Sequence, residues 1–172
     1  MELKEAIRKR RSVRRFLDKK PPISIIMEIL EYANLAPSAG NLQARDFVIV
    51  DDEDLKRKLA HAALDQNFIA EAPYDIVVCA NLERIAPYGR RGMELYCVQD
   101  CAAATEHILL LALEHGLATC WVGAFDEEKV SRLLDLPPHV KPTAIIAIGY
   151  PAEEPKPTSR YRTEKLTHFN RW

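Results

Sequence analysis

Hydrophobic and polar positions along this chain follow two different rhythms. In "PPISIIMEILEYANLAP", Ile26, Ile29, Leu30 and Ala33 recur at helical spacing. That pattern predicts an amphipathic helix with one buried face. Pro21 and Pro22 precede it, Ser24 stands as its expected cap, and Pro37 stops it. Residues 2–9 predict a shorter helix ahead of it. Four short apolar runs read as strands: "FVIV", "YDIVVCAN", "LATCWV" and "TAIIAIGY".

Between the strands the pattern turns helical again. "DDEDLKRKLAHAAL" puts carboxylates first and basic residues later, which suits a helix and its dipole. "FDEEKVSRLLDL" offers Asp126 as a cap and ends at Pro137 and Pro138. From Met93 to His115 apolar residues fall on most faces, so one long buried helix is expected, with Gly116 as its C-terminal cap. "SAGNLQARD" reads as a loop and "NLERIAPYGRRG" as a polar excursion. Residues 151–172 have little periodicity and predict an extended C-terminal tail. Phe169 and Trp172 at its end call for a surface to lie on, such as a partner subunit's. The element order predicts one layered domain, α+β or α/β, over residues 1–172.

Composition narrows the function classes. The 172 residues are 48% hydrophobic and 28% charged, enough for a sizeable core. A net charge of −1 provides no whole-protein attraction for polyanions, so any basic function is local. "HILLLALEHG" is too short and too interrupted to span a bilayer, so no membrane partner is expected. Cys79, Cys97, Cys101 and Cys120 have apolar neighbours and read as buried thiols of a reducing cytoplasm. Cys97 and Cys101 share a helix face but lack a second pair, so no metal site is expected.

The chemistry is framed first by missing motifs. Six glycines form neither GxGxxG nor GxxxxGK[ST], which argues against glycine-loop phosphate binding. There is no GxSxG, and the five histidines are scattered with no HExxH, so hydrolysis has no foothold. What stands out is "RKRRSVRRF" at residues 8–16. It suits a solvated basic turn, a nucleic-acid contact, or a side-chain clamp on a phosphate. Arginine's planar fork favours the last, since it pairs bidentately with phosphate oxygens.

Four segments then carry a resemblance: "RRSVRRF", "LAPSAGNLQARDFVIV", "GLATCWVGAFDEEKV", and "IAIGYPAE" with a late arginine. In this order and spacing the chain resembles the FMN-dependent nitroreductase family, as a small, single-domain member. The resemblance implies a three-layer α+β fold, a central mixed sheet wrapped by helices. It implies an intertwined homodimer with FMN at the subunit interface. Arg10 would pair with the FMN phosphate, with Arg11 and Ser12 in the same segment. Arg14 would stand near the flavin N1 and O2 edge, where a fixed cation favours the anionic reduced ring. Pro37, Ser38, Asn41 and Gln43 match a loop reaching FMN from the other subunit. The family often has Pro-Trp after this glutamine. Ala44 and Arg45 stand there instead, a departure expected at the pocket rim. Gln66, with Asn67 as its competitor, would meet the flavin pyrimidine. Val122, Gly123 and Ala124 would lie behind the ring, with a backbone N–H toward N5. Arg160, or else Arg162, would complete the phosphate site.

The implied activity is ping-pong hydride transfer from NADH or NADPH through FMN to a nitroaromatic, quinone or similar small acceptor. No side chain is assigned an acid or base role. The alternatives are a specialised reaction of the same superfamily, such as reductive dehalogenation, and a phosphate- or nucleic-acid-binding module without redox chemistry.

Overall fold

A computed structural model describes residues 1–172. Eight helices are present: α1 (Leu3–Lys9), α2 (Ile23–Ala33), α3 (Glu53–Ala62), α4 (Phe68–Glu71), α5 (Leu82–Ile85), α6 (Gly89–Arg91), α7 (Cys97–Glu114) and α8 (Glu127–Leu133). They surround four strands: β1 (Arg45–Val50), β2 (Tyr74–Asn81), β3 (Ala118–Val122) and β4 (Val140–Gly149). The sheet order is β1-β2-β4-β3. Every pairing is antiparallel, not the mixed sheet expected. The one parallel contact is an isolated bridge from Ser12 to Thr119 on β3.

The pleat assigns each central strand to two layers, because successive side chains point to opposite faces. On β2, Tyr74, Ile76, Val78 and Ala80 join a core that contains Ile26, Ile29, Leu30 and Ala33 of α2 and Ile108 of α7. The intervening Val77 and Cys79 join a second core with Leu59 and Ala60 of α3 and Val130 of α8. β4 divides likewise, with Ile146 and Ile148 on the first face and Ile145 on the second. Helices on both faces of one sheet make the three expected layers. Full burial of each such Ile or Leu side chain contributes roughly 1.5–3 kcal/mol.

Local signals account for several boundaries. Asp52 caps α3 by accepting from Leu55 N at 2.8 Å, and Asp126 caps α8 by accepting from Lys129 N at 3.0 Å. Gly116 has φ +69° and closes α7, donating to Leu113 O while Leu117 N reaches back to Ala112 O. That is the Schellman pattern, and glycine carries the positive φ without strain. β4 contains Pro142 because the strand bulges there. Thr143 is the extra residue, and its hydroxyl donates to Val78 O at 2.9 Å.

Other expectations change. Ser24 lies inside α2 and Pro22 takes the cap position. The polar excursion folds into α5, α6 and a five-residue π-turn, Gly92–Tyr96, that leads into α7. Short helical turns there follow strand β2 without a periodic apolar face to announce them. The tail has no helix or strand beyond one short turn at Thr163–Lys165. Its start runs beside the N-terminal segment: Leu17 N donates to Tyr150 O and Ala152 N to Arg15 O. No helix is long and apolar enough to cross a membrane.

Candidate functional site

Strand β3 organises the first group of candidate residues. Ser12 bridges to Thr119, and Val13 N donates to Thr119 O at 3.0 Å. This draws the basic segment onto the outer edge of β3. Arg14 is fixed twice. Its backbone N–H donates to Glu153 Oε1 at 2.6 Å, and its guanidinium lies over the Phe68 ring at 5.8 Å. Beneath it, the Cys120 thiol is pushed up chiefly by burial, with Arg14 and Ser12 pulling the other way.

Gln66 closes the group. Its Nε2 donates to Ala63 O at 2.8 Å and to Ala124 O at 3.2 Å. The turn before α4 is thereby tied to the Val122–Ala124 segment. Gly123 is exposed, and a Cβ added to it would meet nothing within 4 Å. Its backbone borders open space beside the basic segment's strand. Asn67 is also exposed and begins α4, but makes no side-chain cap bond.

Arg10 and Arg11 differ in placement. Arg10 is half-buried at the C-cap of α1. Arg11 folds back, its Nη1 donating to Arg8 O at 2.6 Å and to Arg10 O at 2.7 Å. A cation on those last carbonyls also opposes the helix dipole. Arg11 Nε is buried without a partner. Arg160 lies in the exposed tail, bonded only to Thr158 and Ser159. Arg162 is exposed there too. Nothing within the chain brings either to Arg10.

The second group is the Pro37–Gln43 loop before β1. It winds through three positive-φ residues, Gly40 (+56°), Asn41 (+55°) and Gln43 (+49°). For non-glycine residues that region costs of order 1–3 kcal/mol, so the loop needs external bracing. Ser38 Oγ accepts from Gln43 N at 3.0 Å, and Gln43 Nε2 donates to Asn41 O at 2.9 Å. A Cβ on Gly40 would fall 2.6 Å from the Tyr88 hydroxyl, so a larger residue would have to displace that ring as well as adopt the positive φ.

The residue that braces this loop most is Arg45. It is almost wholly buried, 3% exposed. Nη2 donates to Asn34 O at 2.7 Å and Ala36 O at 2.6 Å, while Nη1 reaches Pro37 O and Asp100 O, each at 3.3 Å. Asp100 of α7 completes the brace by accepting from Ala39 N at 2.9 Å. Arg84 of α5 holds the far end, donating to Gln43 O at 3.1 Å and Arg45 O at 2.8 Å. Neither Asp100 nor Arg84 shows in the sequence pattern. Arg45's departure from Pro-Trp was the one visible signal.

The two groups do not meet within one chain. β1 and β3 occupy opposite edges of the sheet. Three strand spacings, roughly 14 Å, separate them. The largest groove, about 1030 Å³, runs along β1 and α2 and includes Gln43 and Arg45.

Together, an α+β three-layer fold and a basic segment laid on β3 place this chain in a known class. It belongs to the nitroreductase family, whose model matches residues 7–73 and 61–150. A relative from Thermus thermophilus, an NADH dehydrogenase, is 34% identical over 96% of this chain and 95% of its own. A Bacillus subtilis relative named FMN reductase (NADPH) is 27% identical over 96% of this chain and 72% of its own. The solved structure of B. megaterium NfrA1 superposes with a TM-score of 0.93 at 29% identity, covering 99% of this chain and 74% of that one.

Proposed function

We infer that the protein is an FMN-dependent NAD(P)H oxidoreductase whose flavin lies against the Arg10–Ser12–Arg14 segment at the edge of β3. The observation that carries the placement is the Gln66–Ala124 hydrogen bond, formed 58 residues apart beside that segment. It joins two remote stretches of chain, and Arg14 over the Phe68 ring joins the third.

The residues present fit the group. Arg10 and Ser12 offer a cation and a hydroxyl for the phosphate. Arg14, steadied by Phe68 and Glu153, sets a fixed positive charge at the ring edge. Gln66 spends its N–H groups on backbone carbonyls and leaves Oε1 as an acceptor. Gly123 leaves its backbone N–H approachable because no Cβ stands over it. FMN, when bound, supplies the redox chemistry, carrying two electrons from NADH or NADPH to a nitroaromatic, quinone or similar acceptor. The protein binds, orients and sets the local field.

The working unit is a homodimer. The braced Pro37–Gln43 loop is remote from Arg14 in its own chain, and a second copy supplies it to the site. Tyr161, Phe169 and Trp172 of the tail are 79%, 89% and 100% exposed, a cost that a partner's surface removes. The open groove along β1 is such a surface, and the same contact brings Arg160 toward the partner's phosphate site.

Purified protein is expected to be yellow, to release FMN on denaturation, and to oxidise NADH or NADPH with a quinone or nitroaromatic acceptor. Colourless protein that takes up no added FMN overturns the reading. A monomer by light scattering overturns the shared site.

A further inference from the structure

The segment "NLERIAPYGRRG" supplies no residue to the flavin site, yet it is built under tight constraint. Gly89 combines φ +57° with ψ −148°, a corner of backbone space that glycine alone occupies routinely. Gly92 has no room for a side chain, because a Cβ there would fall 2.7 Å from Tyr88 Cβ and 2.9 Å from Ile85 O. The π-turn Gly92–Tyr96 follows, a rare geometry that recurs at functional positions. Each feature bears on one side chain. Tyr88 precedes Gly89, lies with its Cβ against Gly92, and sets its ring edge-on to Tyr96 with centroids 5.5 Å apart. Tyr96 is itself anchored. It packs against the first core, and Arg91 Nε donates to its hydroxyl at 3.0 Å.

The Tyr88 ring ends on Gly40 of the Pro37–Gln43 loop. Hydrogen bonds from outside the loop hold its flanks: Asp100 accepts from Ala39 N, and Arg84 donates to Gln43 O. The crest between them, Gly40 and Asn41, is bonded only within the loop. Asn41 N donates to Ser38 O at 3.0 Å, and Gln43 Nε2 donates to Asn41 O. Asn41 holds a positive φ that non-glycine residues seldom adopt, so the crest does not keep this shape by its own preference. The nearest atoms to a Cβ on Gly40 all belong to Tyr88: Oη, Cε2 and Cζ. Tyr88 is therefore the side chain that stops the crest from folding toward the π-turn. The ring stays 44% exposed, so burial of apolar area is not the whole reason for its placement.

We propose that Tyr88 is a positioning residue for the flavin: its ring holds the Gly40–Asn41 crest in the shape that reaches the FMN of a second copy. Gly89 and Gly92 hold the ring in turn. The proposal rests on the homodimeric flavin site above and names the side chain that sets its loop. Tyr88 acts through Gly40 and needs no contact of its own with the flavin.

The rate of FMN release from loaded protein, followed by the fluorescence of freed flavin, tests it. Tyr88→Ala is expected to speed release about tenfold, within the range for residues in direct contact. Tyr88→Phe keeps the ring and should restore retention. Flavin still bound to Tyr88→Ala should show shifted visible absorption and circular dichroism bands, because the loop beside it has moved. A protein that is merely destabilised would give wild-type bands for whatever flavin it holds, and that result overturns the proposal. Gly40→Ala pushes a methyl group against the ring and should also speed release about tenfold. In Gly40→Ala/Tyr88→Ala the two effects should not multiply, since both act on one contact. A product of about a hundredfold overturns the coupling through Gly40. Where Tyr88→Ala shows no cooperative urea transition, Tyr88→Leu carries the same expectations. Wild-type protein that holds no FMN, or that is monomeric by light scattering, overturns the homodimeric flavin site and the Tyr88 assignment with it. A yellow dimer whose release rate is the same in wild type and Tyr88→Ala overturns the assignment alone.

Discussion

Arg45 and Asp100 brace one loop from two sides: Arg45 Nη1 donates to the Asp100 carbonyl at 3.3 Å, and the Asp100 carboxylate accepts from Ala39 N at 2.9 Å. The guanidinium serves carbonyls at the end of α2, where a cation also answers the helix dipole. Truncating it leaves buried carbonyls without donors, each a loss of about 1–3 kcal/mol. Arg45→Ala is expected to lower stability by about 3 kcal/mol or more, read from the urea midpoint. Arg45→Lys keeps the charge but not the fork, and should recover only part of it. Flavin retention should follow the same order if, as proposed, the braced loop reaches the flavin of a second copy.

At the proposed phosphate clamp, Arg10→Ala is expected to weaken FMN binding by tenfold or more, since charge-assisted bonds are worth roughly 1.5–3 kcal/mol. Ser12→Ala, which removes a neutral donor, should cost about 1 kcal/mol. Fluorescence of released flavin during dialysis measures both. Unchanged retention in Arg10→Ala removes that residue from the clamp.

Asp75 on β2 is fully buried and neither carboxylate oxygen has a partner. Burial pushes its pKa well above the ordinary 3.8, with only partial relief from Lys56, whose ammonium donates to Ala72 O. The folded state therefore holds a proton that the unfolded chain releases. Stability from this group is greatest below about 3.8 and declines as pH rises from there toward the raised folded value. Asp75→Asn cannot titrate, so its urea midpoint should fall less than wild type's between acid and neutral pH. Parallel pH profiles would remove Asp75 as the source.

Burial also pushes the Cys79 and Cys101 thiols up to about 12. Thiolate is the reactive form, so at neutral pH both should resist a thiol reagent in the native protein and label only on unfolding. Fast native labelling at either position, located by peptide mass, contradicts this.

Much of the fold could be read along the chain because its signals are local. The face of α2 follows from Ile26, Ile29, Leu30 and Ala33, and the cap of α8 from Asp126 set before its helix. The turns of residues 82–96 could not be read, since short helices there have no apolar stripe long enough to show a period. Arg11 looked equivalent to Arg10 in a basic run, yet it folds back on the end of α1, because its side chain meets carbonyls three residues and one residue behind it. The expected mixed sheet became antiparallel because strand direction depends on how the connections cross the sheet, not on the strands' own composition.

By itself the sequence determined the four strands and the longer helices, the absence of glycine-loop phosphate motifs, and the ordered segments that mark the family. Periodicity, capping and side-chain chemistry act over a few residues, so they are written where they operate. Tertiary structure alone decided that Arg45 goes inside, that Gln66 meets Ala124, and that Tyr88 closes on Gly40. Those relationships depend on which surfaces bury the most apolar area together and which polar groups then find partners. That balance is struck only once the two layers close on the sheet.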